Sequence, residues 1–383
     1  VKRFLRLLLK ALLGLVVLIV VLILGVVLFL NFAPAFGDSP SGESLARIQA
    51  SPNYDGEKFV NQVETRLDTR DPESGQSLFT SVFRMLSPPP GKTPAVPLPS
   101  EAFSPADLQE GTFVWLGHST VLMRTGGLVI LTDPVFHQAS PLPGTVEPFA
   151  MVHTPRMEDL PAQIDIVLIS HDHYDHLDYQ AIQELTPRVG HFLVPLGVKA
   201  HLLRWGVPGD QIEEHDWHDS LTYGATRLTM TPARHFSGRG LTNNFSTLWC
   251  SWVIQSDSLR IFFNGDSGYW GGFREIGDAY GPFDIAFVEN GAYDKDWAEI
   301  HMMPEESVQA SLDLQAERMF PIHWGKFDLA NHPWDDPILR TERESARRQV
   351  QIVTPLIGQP FTLENAPHLT WWEGVRAQME AGE

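Results

Sequence analysis

The feature that most constrains this chain is the run His171-Asp172-His173-Tyr174-Asp175-His176, three imidazoles with carboxylates between them in six residues. It follows directly on Ile164–Ser170, a continuous apolar stretch that reads as a strand buried on both faces. Histidines so close together invite a metal ion. Imidazole and carboxylate donors suit zinc, with iron or manganese as further choices. One loop cannot complete two coordination spheres, so further donors must come from other strand ends.

Three such donors are visible. His235 follows the strand pattern Arg227–Thr231, Asp266 follows Leu259–Phe263 within Asn264-Gly265-Asp266-Ser267-Gly268, and His323 ends Met319–Ile322. The glycines around Asp266 let the backbone approach an ion closely. Taken singly, each of these is more often an ordinary polar residue; together with the six-residue run they complete a set.

The remaining pattern is of short strands with interspersed helices. Thr112–Leu116, Val121–Arg124 and Leu128–Thr132 read as a meander with Gly126-Gly127 at a hairpin turn, and Thr247–Gln255 and Asp284–Val288 as further strands. Helices are expected over Tyr179–Leu185, Gly271–Ala279 and Glu305–Glu317, the last opened by Pro304 with acids in its first turn. Such a mixture predicts an α/β layered sandwich with the polar residues just past strand ends. Weaker helical periodicity occurs around Ser44–Ala50 and Phe79–Leu86.

Ala11–Leu30 is an uncharged apolar run, long enough to cross a bilayer core as a helix. Lys2, Arg3, Arg6 and Lys10 precede it and no positive charge follows through Glu43, which predicts a cytoplasmic N-terminus and an exported body. In a bacterium that means the inner membrane with the body on the periplasmic side. A cleaved signal peptide is the competing reading, with small residues at Ala33 and Ala35, but the run is longer than a usual signal core. Ser87–Ser100 is proline-rich and reads as an extended linker or strap. The expected organisation is a transmembrane anchor over 1–30, a polar and Pro-rich linker or strap over 31–100, and a hydrolase domain over 101–375.

The net charge of -19 argues against capture of nucleic acid. Cys250 is the only cysteine, so an internal disulfide is excluded, and its apolar surroundings predict a buried strand residue.

The sequence resembles the metallo-β-lactamase superfamily and, within it, the N-acyl-phosphatidylethanolamine-hydrolysing phospholipase D family and its bacterial relatives. The resemblance rests on Trp115–Met123, Leu131–Phe136, Val167–Tyr179, Val194–Gly197, Phe262–Tyr269, Gly281–Asp284, Gly291–Tyr293, Pro304–Glu306 and Ile322–Ala330, and it spans roughly residues 101–365. It implies a metallo-β-lactamase αββα sandwich, here with an N-terminal transmembrane helix. It further implies two zinc ions, one on His171, His173 and His235 and the other on Asp175, His176 and His323, with Asp266 bridging. Ions about 3.5–4 Å apart lower the pKa of water and stabilise charge on phosphate oxygens, so no Ser, Cys or Lys nucleophile is needed.

Asp266 and His301 are thereby expected at the reaction centre, His301 near substrate. His118 and Asp133 are candidates for orienting ligands, Tyr174 and Asp178 for shaping the loop, and Trp249 and Trp324 for packing. Glu289-Asn290 departs from the more apolar stretch of the lipid-hydrolysing relatives. The implied function is hydrolysis of a membrane phospholipid phosphodiester, with the bilayer met through residues 11–30, no nucleic acid partner and a homodimer allowed. Alternatives are a lactonase or small phosphoester hydrolase of the same superfamily, or a non-catalytic membrane-anchored binding protein. With no donor before residue 171, deleting residues 1–35 is expected to leave a soluble, folded enzyme.

Overall fold

The computed structural model describes residues 2–70 and 89–382. The periodicity at Phe79–Leu86 and the start of the Pro-rich strap at residues 87 and 88 lie outside the described residues. Helix α1 (Lys2–Phe32) carries the apolar run, with its large side chains exposed from Phe4 to Leu28. At about 1.5 Å per residue it reaches roughly 46 Å, longer than the hydrocarbon core it would have to cross. α2 (Gly42–Ala50) follows, close to the weak periodicity in that region.

The body is two facing seven-stranded sheets. One contains β1 (Phe113–Trp115), β2 (Val121–Thr125), β3 (Leu128–Thr132), β4 (Ile164–Leu168), β5 (Val189–Pro195) and β6 (Ile212–His215) in that order. The other runs from β7 (Ser220–Tyr223) through β8 (Thr226–Thr231), β9 (Ser251–Gln255), β10 (Arg260–Phe263), β11 (Ile285–Glu289) and β12 (Arg318–Ile322) to β13 (Gln351–Ile352). Each sheet begins as an antiparallel meander and continues as parallel strands. β14 (Pro360–Phe361) returns from the C-terminus to pair with β1. Gly126 and Gly127, both at positive φ, make the hairpin turn between β2 and β3.

Alternation along the strands decides the layers. Phe113, Trp115, Ile166 and Leu168 point between the sheets to meet Trp252, Ile254, Phe263, Phe287 and Phe320 in one core. Val114, Val167, Phe192 and Val194 point outward, where α3 (Tyr179–Leu185) and α4 (Lys199–Arg204) cover them through Ile182, Leu185 and Leu202. On the second sheet's outer face, Phe262, Ala286 and Val288 meet α5 (Gly272–Tyr280) and α6 (Pro304–Asp313). The result is helix, sheet, sheet, helix. α7 (Asp336–Arg348) and α8 (Trp371–Gly382) complete the chain, and Trp371 of α8 stacks on Trp324.

The sequence pattern finds β1 to β4 and β8 to β12, but misses β5, β6, β7, β13 and β14. Several of these are short or sit at sheet edges, where few residues carry a period. The expected helix to Glu317 ends at Asp313; Arg318 opens the next strand, so the chain between them must turn. Residues 42–69 are pinned to the body: Ser44 bonds Glu214, Phe59 N–H donates to Phe245 O, and Asn61 exchanges hydrogen bonds with the His235 backbone. Cys250 is buried in the core, and burial pushes its thiol up.

Candidate metal centre

Every expected donor lies just beyond the C-terminal end of a strand: 171–176 after β4, His235 after β8, Asp266 after β10 and His323 after β12. Parallel strands point these ends the same way, and a crevice there is the usual place for a ligand in open α/β sheets. The two sheets are joined at this edge, since His118 N–H donates to Trp324 O and His323 N–H donates to His118 O.

The structure brings all seven expected donors together. His171, His173, His235 and Asp266 form one group, and His118, Asp175, His176 and His323 another, each with one atom per residue within 4.8 Å of the rest. Asp266 joins them: its Oδ2 lies 3.1 Å from Nε2 of both His176 and His323, 3.7 Å from Nε2 of His235 and 3.8 Å from Nε2 of His171. Asp175 Oδ2 is 3.2 Å from His323 Nε2 and 3.6 Å from His176 Nε2.

The rings are aimed from behind. His176 Nδ1 is 2.7 Å from Asp133 Oδ2, His171 Nδ1 is 2.9 Å from Ser170 Oγ, and His235 Nδ1 donates to Ile300 O at 2.8 Å. Each contact engages Nδ1 and leaves the Nε2 lone pair facing the centre, the usual device for orienting a metal-ligating histidine. Asp133 is itself held by the backbone N–H and hydroxyl of Ser170. His118, which burial above all lowers to about 3, is neutral and donates Nε2–H to Asp175. His118 and Asp133 thus sit where orienting residues belong.

The donor set fits metal ions on two grounds. Nε2 of His176, Nε2 of His323 and Oδ1 of Asp266 are buried without a hydrogen-bond partner among the described residues, a costly arrangement unless something binds there. Burial disfavours charge on His176 and His323, yet the neighbouring Asp266 and Asp175 overcome it and hold both imidazoles far above the ordinary histidine value. A cluster that draws protons onto buried histidines demands cations. By contrast His171 and His235 are driven well below that value, mainly by burial, and are neutral donors.

The backbone around the centre is strained to make this possible. His118, Asp133 and His323 all have positive φ, at 55°, 34° and 67°, which costs on the order of 1–3 kcal/mol each outside glycine. Gly265, at φ 59°, has no room for a Cβ, which would lie 2.5 Å from Ser170 Cβ. Gly291 packs against the His323 carbonyl, where a Cβ would meet the oxygen at 1.9 Å.

His301 lies at the same edge, in a third group with Asp266, Glu289 and His323. Its Nδ1 makes a short hydrogen bond to Glu289, which also accepts from Ser267 N–H at 2.6 Å. Glu289 is fully buried, and burial pushes its carboxyl up against the pull of His301. Sequence reasoning noticed Glu289 only as a departure; the strand-end rule that found Asp266 would also have found it at the end of β11. It missed Arg239 altogether. Arg239 is 3% exposed and donates Nη1 to the carbonyls of Asp172 and Leu177, gripping the metal loop from outside. Tyr174 donates to Arg239 O, and Asp178 caps α3 through Gln180 N–H, so both shape the loop.

Fold and site together define a metallo-hydrolase built on paired sheets. The family described as "Beta-lactamase superfamily domain" matches residues 129–324, just over half of the chain, and the chain belongs to it. An uncharacterized protein of Mycobacterium tuberculosis is 39% identical over 352 residues, 90% of this chain and 93% of that protein. N-acyl-phosphatidylethanolamine-hydrolyzing phospholipase D 1 of Caenorhabditis elegans is 34% identical over 236 residues, 58% of this chain and 66% of that protein. Among solved structures, a metallo hydrolase of the archaeon Ignicoccus hospitalis superposes with a TM-score of 0.50 at 21% identity, over 66% of this chain and 97% of that chain. That likeness shows the shared fold.

Proposed function

We propose that this chain is a membrane-anchored, di-zinc phosphodiesterase that cleaves a glycerophospholipid on the headgroup side, leaving phosphatidic acid and a free alcohol such as an N-acylethanolamine. The observation that carries the reading is the convergence of seven donors, five buried and two half-buried, into two groups that share Asp266. His171, His173 and His235 would hold one ion, Asp175, His176 and His323 the other. Two bound ions would supply Lewis acidity and a water acidic enough to attack phosphorus near neutral pH. The protein's own part is to fix the rings through Asp133, Ser170 and the Ile300 carbonyl, and to present His301. With Nδ1 of His301 held by Glu289, Nε2 is the ring nitrogen left for a substrate oxygen.

The lipid substrate is supported by similarity to the nematode phospholipase and by α1, which holds the site at a surface where lipid is concentrated. The charge asymmetry around α1 supports a body outside the cytoplasm; a reporter active only in the cytoplasm, fused after Glu383, should stay dark. The chemical test is hydrolysis of a phospholipid panel in labelled water. Label should enter phosphatidic acid and not the alcohol. Label in the alcohol would overturn the mechanism, and rapid lactone opening without lipid turnover would move the assignment to the alternative hydrolase.

A further inference from the structure

The end of α1 does not leave the body as a free tether. Residues 33–38 form a collar laid over the metal loop. Trp205 Nε1 donates to Pro34 O at 2.7 Å, Arg239 Nε to Ala35 O at 2.8 Å, Arg204 Nη1 to Gly37 O at 2.7 Å, and Asp38 N–H to His201 Nδ1 at 3.0 Å. Phe36 sits edge-on between Phe29 of α1 and Tyr174 of the metal loop, with centroids at 5.3 and 6.4 Å.

Beside this collar is a cavity of about 310 Å³. Phe29, Ala33 and Ala35 line it from the anchor side, Pro141 and Pro143 from the body, and Tyr174 from the metal loop. Its charged side chains, Asp178 and Arg239, are already engaged. Asp178 accepts from the N–H groups of Phe136, His137 and Gln180, and Arg239 spends Nε and Nη1 on the carbonyls of Ala35, Asp172 and Leu177. Burial lowers the Arg239 guanidinium, and the neighbouring Tyr174, Asp172 and Asp178 oppose it only in part. Ligand choice therefore falls to the apolar walls. One wall, Phe29, belongs to the last turns of the apolar run Ala11–Leu30, the part of the chain that would meet hydrocarbon.

We propose that this cavity takes one acyl chain of a bilayer lipid, admitted past Phe29 and lying against Tyr174; the proposal rests on the reading of α1 as a membrane anchor and of lipid as substrate. A tail moving from a bilayer into an apolar cavity exchanges one hydrocarbon environment for another, so hydrophobic transfer contributes little. The gain is placement: a tail held beside residues 171–176 fixes the headgroup relative to the donors that follow Tyr174 in the loop.

The test uses the full-length chain in vesicles of phosphatidylethanolamine and phosphatidylglycerol containing a phosphatidylethanolamine with a diazirine near the end of one acyl chain. After irradiation, labelled peptides are mapped by mass spectrometry. Label is expected in residues 138–143 and on Tyr179 as well as along α1. Ala33→Trp and Pro141→Trp, which fill the cavity from the anchor side and from the body, should each cut the 138–143 label at least fivefold while α1 remains labelled; circular dichroism and metal content report whether each variant is folded. Label confined to α1, or label at 138–143 that survives both folded variants, would overturn the proposal. Labelling is independent of turnover: label at 138–143 without phospholipid hydrolysis would keep the acyl site and reject the lipid-hydrolase reading.

Discussion

The metal cluster and the collar above it meet at Tyr174, yet they are built in opposite ways. In the cluster, seven side chains from four strand ends converge, and what they can do depends on residue type. In the collar, Arg204, Trp205 and Arg239 reach out from the body to grip backbone carbonyls, which every residue possesses. The difference teaches that substitutions should act on the two regions by different rules. In the cluster the identity of the donor decides the effect, whereas in the collar the path of the chain decides it.

The largest expected effect is in the cluster. His171→Ala or Asp266→Ala should lose metal and activity together, on the order of a thousandfold or more in turnover, because shared ligands bind cooperatively. Elemental analysis of the unmutated protein should give close to two equivalents of metal. Full activity in metal-free protein would break the comparison at its root. One step back from the donors, Asp133→Asn keeps the shape but weakens the hold on His176 Nδ1. Metal affinity should fall about 10–100-fold, as measured by competition with a chelator.

The collar sharpens the contrast. Arg239→Met strands the carbonyls of Ala35, Asp172 and Leu177, and each buried acceptor left alone costs about 1–3 kcal/mol. Ala35→Ser, one of the residues actually gripped, keeps its carbonyl and should change stability by no more than about 0.5 kcal/mol. If thermal unfolding showed the reverse order, side-chain identity would matter in the collar after all.

A pH-dependent contrast concerns Lys326, another side chain that grips backbone. Its Nζ donates to Val135 O at 2.7 Å and Leu116 O at 3.0 Å, and burial, opposed only in part by Asp178, pushes it down to about 7. Between pH 7 and its ordinary value of 10.5 the unfolded chain binds more protons at this site than the folded one, so stability from Lys326 is least below pH 7 and rises through that window. The stability of the unmutated protein minus that of Lys326→Met should climb accordingly. A difference that stays flat with pH would show that the ammonium is retained in the fold.

The sequence by itself determined the candidate donors. Three histidines and an aspartate in one loop, a histidine or aspartate after each of three later strands, and an apolar run long enough to cross a bilayer core are all statements about residue type and spacing. It also determined the alternating strands that put Phe113 and Trp115 inward and Val114 outward. What only the tertiary structure decided is what touches what across long separations. The burial of Glu289 against His301 was not legible, since a carboxylate at a strand end looks alike whether it meets a ring or solvent. The collar was not legible because its acceptors are carbonyls at 34, 35 and 37, which no residue type marks. Deleting residues 1–35, expected to leave a soluble, folded enzyme, would remove two carbonyls that Trp205 and Arg239 hold, whereas a cut after Leu28 spares them. Side chains write their chemistry into the sequence, but backbone groups are the same at every position, so their partners are fixed only when the chain has folded.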